Sequence, residues 1–314
     1  MQLEAKISLL NAFTVDVEDY FQVTAFEKHV RREQWGEFES RVVLNTHRIL
    51  QLLDRHRVKA TFFVLGWVAR RYPQLVREIH GCGHEIGSHS YWHRLIYRLS
   101  PEQFRDDLRQ SRDALEDVIG QRVLAYRAPS FSITRHSRWA WEILVEEGFR
   151  VDSSVFPTYH PCYGIPNAEP GVHQIRTSAG FLWEFPLSVA RFARLNIPVS
   201  GGGYFRAYPA RLTVRLLSAL NGKHHRPFIF YIHPWELDPN QPRIRAGSRL
   251  SRAKHYLNLA STEKKLEVVL ERFRFGRLGE VIREVRSERE EHVTTPATLP
   301  VMTCNRTRTG QTRS

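Results

Sequence analysis

His89 and His93 stand four residues apart in the stretch His89-Ser90-Tyr91-Trp92-His93. On a helical turn, side chains at i and i+4 project from one side, close enough to share a divalent metal ion. With 15 histidines in the chain such a spacing is ordinary by itself. Its setting adds weight: the pair follows a strand-like run ending near Ser88, and (β/α) barrels carry their chemistry just past the C-terminal ends of strands. A hydrolytic metal also needs a third protein ligand and an open position for water. The cluster Asp16-Val17-Glu18-Asp19 follows the apolar run Ala12-Phe13-Thr14-Val15. Carboxylates placed there are costly to bury unless paired or ligated, and the bland alternative is an exposed acidic turn. If the strand continues, alternation puts Asp16 and Glu18 on one face.

Three more polar residues end apolar runs. Arg127 follows Leu124-Ala125-Tyr126, and a guanidinium there suits the fixing of a carboxylate base. His233 closes Phe228-Ile229-Phe230-Tyr231-Ile232, where an imidazole suits a general acid. Asp152 follows Val151 and is placed to orient a catalytic imidazole. Each alone is more often structural than catalytic. Together they put polar groups after five separate strands, all at the same end.

The elements that position them alternate. Strand-like runs at 12–15, 60–64, 84–88, 124–126, 151–153 and 228–232 are interleaved with helical patterns. The clearest helix is predicted over Pro101 to Ile119, with Ser100 and Gln103 as a capping box, Phe104, Leu108, Ser111, Leu115 and Val118 on one face, and Gly120 as the stop. Alternation of this kind predicts parallel strands with crossover helices, and six or more strands favour an irregular (β/α) barrel. Residues 157–200, rich in Pro, Tyr and His, read as a long insertion loop, and residues 286–314 as a disordered tail after a domain spanning 11–285. Gly201-Gly202-Gly203 lacks the spacing and lysine of a phosphate cradle.

The 314 residues are 42% hydrophobic and 25% charged, which excludes a disordered chain, a collagen-like fibre and a polytopic membrane protein. Three cysteines are too few for a disulfide framework, and none form a C-x-x-C pair. The net charge of +13 suggests a polyanion or an anionic surface as partner. Residues 286–314 hold five Arg and three Glu, a net of +2, so most of that charge belongs to the body. No nucleic-acid-binding motif is visible, and no nucleic acid partner is expected. Residues 1–10 lack the pattern of a secretory signal, which sets the expectation of a cytoplasmic protein, associated peripherally with the inner face of the membrane.

The residues also carry a resemblance. Thr14-Val15-Asp16-Val17-Glu18-Asp19-Tyr20-Phe21, Ala60 to Gly66, His84 to His89 with His93, Arg127-Ala128-Pro129-Ser130, Asp152-Ser153-Ser154, Gly201 to Arg206 and Tyr231 to Glu236 follow one another in order. In these blocks the chain resembles the NodB-like polysaccharide deacetylases (carbohydrate esterase family 4), and more narrowly the subgroup associated with exosortase/PEP-CTERM exopolysaccharide systems. The resemblance implies a distorted (β/α) barrel holding one divalent metal ion, usually zinc, and hydrolysing N-acetyl groups on a polysaccharide or its lipid-linked precursor. By position it makes His89 and His93 ligands, Asp16 the base, Arg127 its tether and His233 the general acid. A backbone N–H near Tyr20 is the implied oxyanion donor. The family motif has two adjacent aspartates, whereas Val17 follows Asp16 here, so the carboxylate ligand is Glu18 by strand alternation or Asp19 by a bulge. The usual tyrosine after Arg-x-Pro is Ser130. Two rivals stand beside this reading: an allantoinase-like cyclic amide hydrolase on the same fold, and a non-catalytic binder of anionic glycan.

Overall fold

The computed structural model describes residues 7–192 and 195–294. Its strands are β1 (Ile7–Val17), β2 (Thr61–Val64), β3 (Glu85–Ser88), β4 (Ala125–Tyr126), β5 (Val151–Asp152), β6 (His173–Thr177), β7 (Gly180–Glu184), β8 (Val189–Phe192), β9 (Leu195–Pro198), β10 (Ile229–Ile232) and β11 (Phe273–Gly276). The helices are α1 (Val42–Arg55), α2 (Gly66–Arg71), α3 (Pro73–Gly81), α4 (Pro101–Ile119), α5 (Ala140–Glu146), α6 (Gly202–Ala207), α7 (Ala210–Gly222), α8 (Arg249–Tyr256), α9 (Leu259–Arg272) and α10 (Leu278–Thr294). The α4 helix has the predicted capping box between Ser100 and Gln103, and Gly120 closes it at φ +66°.

One sheet runs in the order β10-β1-β2-β3-β4-β5-β7-β6, with β11 also on β1. Every pair is parallel except β6–β7, so the fold is the expected mixed α/β architecture. Among the described residues no ladder joins β6 to β10, and the barrel is left open there.

Strand parity decides what reaches the site. Phe13, Val15 and Val17 of β1 join the core beneath the helices, with Phe62 of β2 and Phe230 and Ile232 of β10. Their alternates Ala12, Phe63, Ile229 and Tyr231 pack on the opposite face of the sheet. Residues paired in register point the same way. Asp16 pairs with Phe63, and Thr14 with Tyr231, so Asp16 takes the inner face and His233, two residues past Tyr231, follows it there.

The region expected to be an insertion loop is partly ordered as strands. The β6–β7 hairpin ends the main sheet, and β8–β9 form a separate two-stranded ladder. Gly201 closes the segment with φ +138° and bridges Tyr231; a Cβ there would lie 1.9 Å from the Tyr231 carbonyl oxygen. The glycine run therefore serves close backbone approach. Of the residues expected to form a disordered tail, 286–294 continue α10, and 295–314 lie outside the described residues. No described helix is long and apolar enough to cross a membrane.

Candidate active site

Glu18, His89 and His93 are buried, and one ligand atom from each lies within 4.8 Å of the others. Ligands ~2.0–2.1 Å from a shared tetrahedral ion sit a little over 3 Å apart, so the cluster needs only a small adjustment to hold one. His89 Nδ1 lies 2.9 Å from the Arg127 carbonyl oxygen. Donation there leaves Nε2 with its lone pair free for a metal, the usual arrangement behind a ligating imidazole. Burial pulls the His89 pKa down to about 4, which keeps the ring neutral. Burial pushes the Glu18 carboxyl up, but the neighbouring imidazoles, His93 first, outweigh it and hold the group at about 2. Glu18 Oε2 approaches His93 Nε2 to 2.8 Å and yet has no hydrogen-bond partner. Buried donor atoms crowded together without bonding one another fit a divalent cation at their centre.

The two histidines reach this position without a helix. Residues 89–93 form a turn in which Ser90 and His93 have φ of +65° and +51°, and the His93 N–H donates to Ser90 Oγ at 3.0 Å. Asp107 of α4 accepts from the amides of Tyr91 and Trp92 at 2.8 and 3.2 Å, pinning the turn to that helix.

Asp19 has a different place. Its Oδ2 accepts from Ser40 Oγ at 2.6 Å and from the amides of Arg41 and Val42 at 2.9 and 3.1 Å, capping α1 from outside the helix. Its Oδ1 takes the Tyr20 N–H at 3.1 Å, which removes that amide as an oxyanion donor.

Asp16 bridges two groups. Oδ1 accepts from Arg127 Nη1 at 2.7 Å, and Oδ2 lies 3.9 Å from His233 Nε2. Arg127 is fully buried, donates to Thr14 Oγ1 and to the carbonyl and hydroxyl of Ser153, and lies over the Phe63 ring. His233 is the most exposed of the set, with 17% of its side chain open. Its Nε2 is also 3.7 Å from Glu18 Oε1, and its ring stacks on Trp235. The Trp235 indole N–H donates to that same Glu18 oxygen at 3.2 Å. Trp235 is thus packed between the His233 and His255 rings and committed to a carboxylate.

Asp152 does not meet His233. It accepts from Trp141 Nε1 at 3.0 Å and from Ser154 Oγ, beside Glu184. The reason is parity: Asp152 pairs in register with Tyr126 and Glu184, and Tyr126 faces the helix layer, so Asp152 does too. The partner of the imidazole is Glu236, whose Oε2 lies 3.3 Å from Nδ1 and accepts the His233 N–H at 3.0 Å. Arg206 Nε donates to the other oxygen at 2.7 Å. Burial lowers the His233 pKa, but Glu236 and then the Glu18 and Asp16 carboxylates raise it to about 9. Reading the sequence missed the roles of Glu236 and Arg206; the signal for the first was an acidic residue three positions after a residue followed by proline, the pattern of a helical first turn.

Residues 36–150 match the family model described as Polysaccharide deacetylase, and residues 153–283 match Domain of unknown function (DUF3473). A Bacillus cereus peptidoglycan-N-acetylglucosamine deacetylase is 34% identical over 98 residues, 31% of this chain and 36% of its own. Bacillus subtilis PdaA, a peptidoglycan-N-acetylmuramic acid deacetylase, is 32% identical over 84 residues, 27% of this chain and 32% of its own. The chain thus spans about a third of the length of these curated relatives. A solved Mycobacterium smegmatis structure, described provisionally as a polysaccharide deacetylase, shares the fold at a TM-score of 0.58 and 22% identity, over 97% of this chain and 98% of that one. Over residues 36–150, the chain is similar to the polysaccharide deacetylases.

Proposed function

We propose that this chain is a metal-dependent hydrolase that removes N-acetyl groups from a glycan, or from its lipid-linked precursor, in exopolysaccharide synthesis. The observation that carries the reading is Asp16, bonded on one side to Arg127 and facing His233 on the other, beside the Glu18, His89 and His93 donors. One carboxylate and two imidazoles make zinc the ion we infer. When bound, such an ion polarises an amide carbonyl and makes water in the site a better nucleophile.

The protein groups supply the rest. Asp16, fixed by Arg127, takes the proton from the attacking water as the new C–O bond forms. His233, with Nδ1 toward Glu236, directs Nε2 at the reacting centre and gives its proton to the departing amine as the C–N bond breaks. The products are acetate and a free amino sugar.

Acetate release from N-acetylglucosamine oligomers by the zinc-loaded protein tests this. Asp16→Asn and His233→Ala should each lower turnover by about 10²–10⁴-fold with metal content unchanged. No acetate from a fully metallated wild type, or ring opening of allantoin instead, overturns the reading. The finer placement, in exosortase/PEP-CTERM systems, is supported by the Thr14–Phe21 block, and work at the cytoplasmic face of the membrane by the net charge of +13. Co-sedimentation with anionic vesicles checks the latter.

A further inference from the structure

Arg94 and Leu95, which follow His93 in the chain, help to line a cleft of about 250 Å³ whose rim carries four cations, Lys28, Arg32, Arg94 and Arg98, and one carboxylate, Glu27. That is a formal +3. Glu27 is shared: Arg98 Nη1 bonds one oxygen, and Arg32 Nη2 lies 3.9 Å from the other. Lys28 and Arg94 have no hydrogen-bonded or ion-paired partner among the described residues, although Arg94 is half-buried. Of the other carboxylates near Arg32, Glu33 is exposed to solvent, and Asp107, which also lies near Arg94, is already committed to the amides of Tyr91 and Trp92. Like charges crowded into a concave, partly desolvated place repel, and they focus a positive potential outward.

The cleft is tied to the reaction centre by the chain itself. Arg32 Nε donates to the Trp92 carbonyl at 2.7 Å, just before His93, and Arg94 follows His93 directly. Its volume is below the ~300–1,000 Å³ of pockets that enclose a whole ligand, so it suits a substituent of something already held nearby. Leu95 and Leu99 give it an apolar wall, which strengthens a charge-assisted bond formed against it.

We propose that this cleft is a subsite for an oxyanion group, a carboxylate or a phosphate, carried by the glycan next to the N-acetyl sugar being hydrolysed. The substrate is then an acidic or phosphate-linked glycan, and Arg94 and Lys28 are its specificity determinants. The inference rests on the deacetylation proposed above and narrows its substrate class.

The test compares three substrates with zinc-loaded protein: a neutral N-acetylglucosamine tetramer, an alternating glucuronic acid–N-acetylglucosamine oligomer, and a diphosphate-linked N-acetylglucosamine. One acidic substrate should exceed the neutral one at least about tenfold in kcat/KM, the worth of one charge-assisted bond, and which one does so identifies the anion. Arg94→Gln and Lys28→Gln should each remove most of that preference while leaving the neutral tetramer within about twofold. Equal rates on all three, or variants that lower all three alike, overturn the subsite. Binding of the same oligomers to Asp16→Asn, read by calorimetry, separates the two proposals. Arg94-dependent binding of the acidic oligomer without any turnover by the wild type supports the subsite and overturns the deacetylation. Turnover of the neutral tetramer without Arg94-dependent binding does the reverse, and the absence of both overturns both.

Discussion

The carboxylate of Glu236 lies 3.3 Å from Nδ1 of His233 and holds the backbone N–H of the same residue at 3.0 Å. One acidic group thus holds the peptide by a hydrogen bond and faces the ring it carries as an ion-pair partner. Arg206 anchors Glu236 and is itself anchored, since its Nη1 donates to the carbonyl oxygens of Lys254, His255 and Leu257. A proton kept on Nδ1 leaves Nε2 as the atom facing Asp16 and Glu18.

Glu236→Gln should therefore reduce deacetylation of N-acetylglucosamine oligomers by about 10²-fold or more in kcat, with KM little changed. Hydrolysis of 4-nitrophenyl acetate, whose leaving group departs without a proton, should stay within a few-fold of wild type. Equal losses on both substrates would point to general damage, and ¹⁵N shifts of the His233 ring would show directly whether its protonation has changed.

How far the sequence disclosed this site depended on strand length. In β1 and β10 the alternation of Phe13, Val15 and Val17, and of Phe228, Phe230 and Ile232, is long enough to fix which face Asp16 and His233 take. The β5 strand is two residues long and offers no alternation, so Asp152 read as an inward group although register turns it toward Trp141. Glu236 and Arg206 are 30 positions apart and meet only because α6 packs beside the end of β10. Nothing in local pattern reports such a pairing. The H-x-x-x-H spacing pointed to a shared site, but through a helical geometry that the positive φ angles of Ser90 and His93 replace.

Trp235 connects the acid to the metal donors, since it stacks on His233 and donates to Glu18. Trp235→Phe keeps the stacking and deletes the donor. Loss of such a supporting hydrogen bond typically weakens metal binding by about 10–100-fold. Competition with a chelator, read by metal content, checks this; an unchanged affinity would show that the indole N–H does not restrain Glu18.

The Asp152–Glu184 pair gives a pH dependence remote from the site. Burial raises both carboxyls, Asp152 to about 6 and Glu184 well above the usual range, with Asp152 adding to the second shift. The folded pair holds a proton that the unfolded chain releases near pH 4. Its contribution to stability is complete below that pH and is lost as pH rises through about 6 and beyond. Glu184→Gln mimics the protonated acid and should remove this loss, so the Tm of wild type should fall relative to the variant between pH 5 and 8. Parallel Tm curves would mean that the pair holds no such proton.

Glu18 and Asp19 are neighbours in sequence with opposite work, and substituting each separates ligand from cap. Asp19→Ala leaves the amides of Tyr20, Arg41 and Val42 and the Ser40 hydroxyl without their acceptor, at the start of α1. Loss of a helix cap costs about 0.5–2 kcal/mol, and a buried donor left unpaired about 1–3 kcal/mol, so a clear drop in Tm is expected. The metal stoichiometry of the folded fraction should stay near one. Glu18→Ala should do the reverse: it deletes one of three donors and leaves the α1 cap whole, so metal is lost at moderate chelator concentration while the metal-free protein unfolds within a few degrees of wild type. If Asp19→Ala loses its metal and Glu18→Ala keeps it, the third ligand is Asp19, and the hydrogen bonds that tie Asp19 to α1 must break when the ion binds.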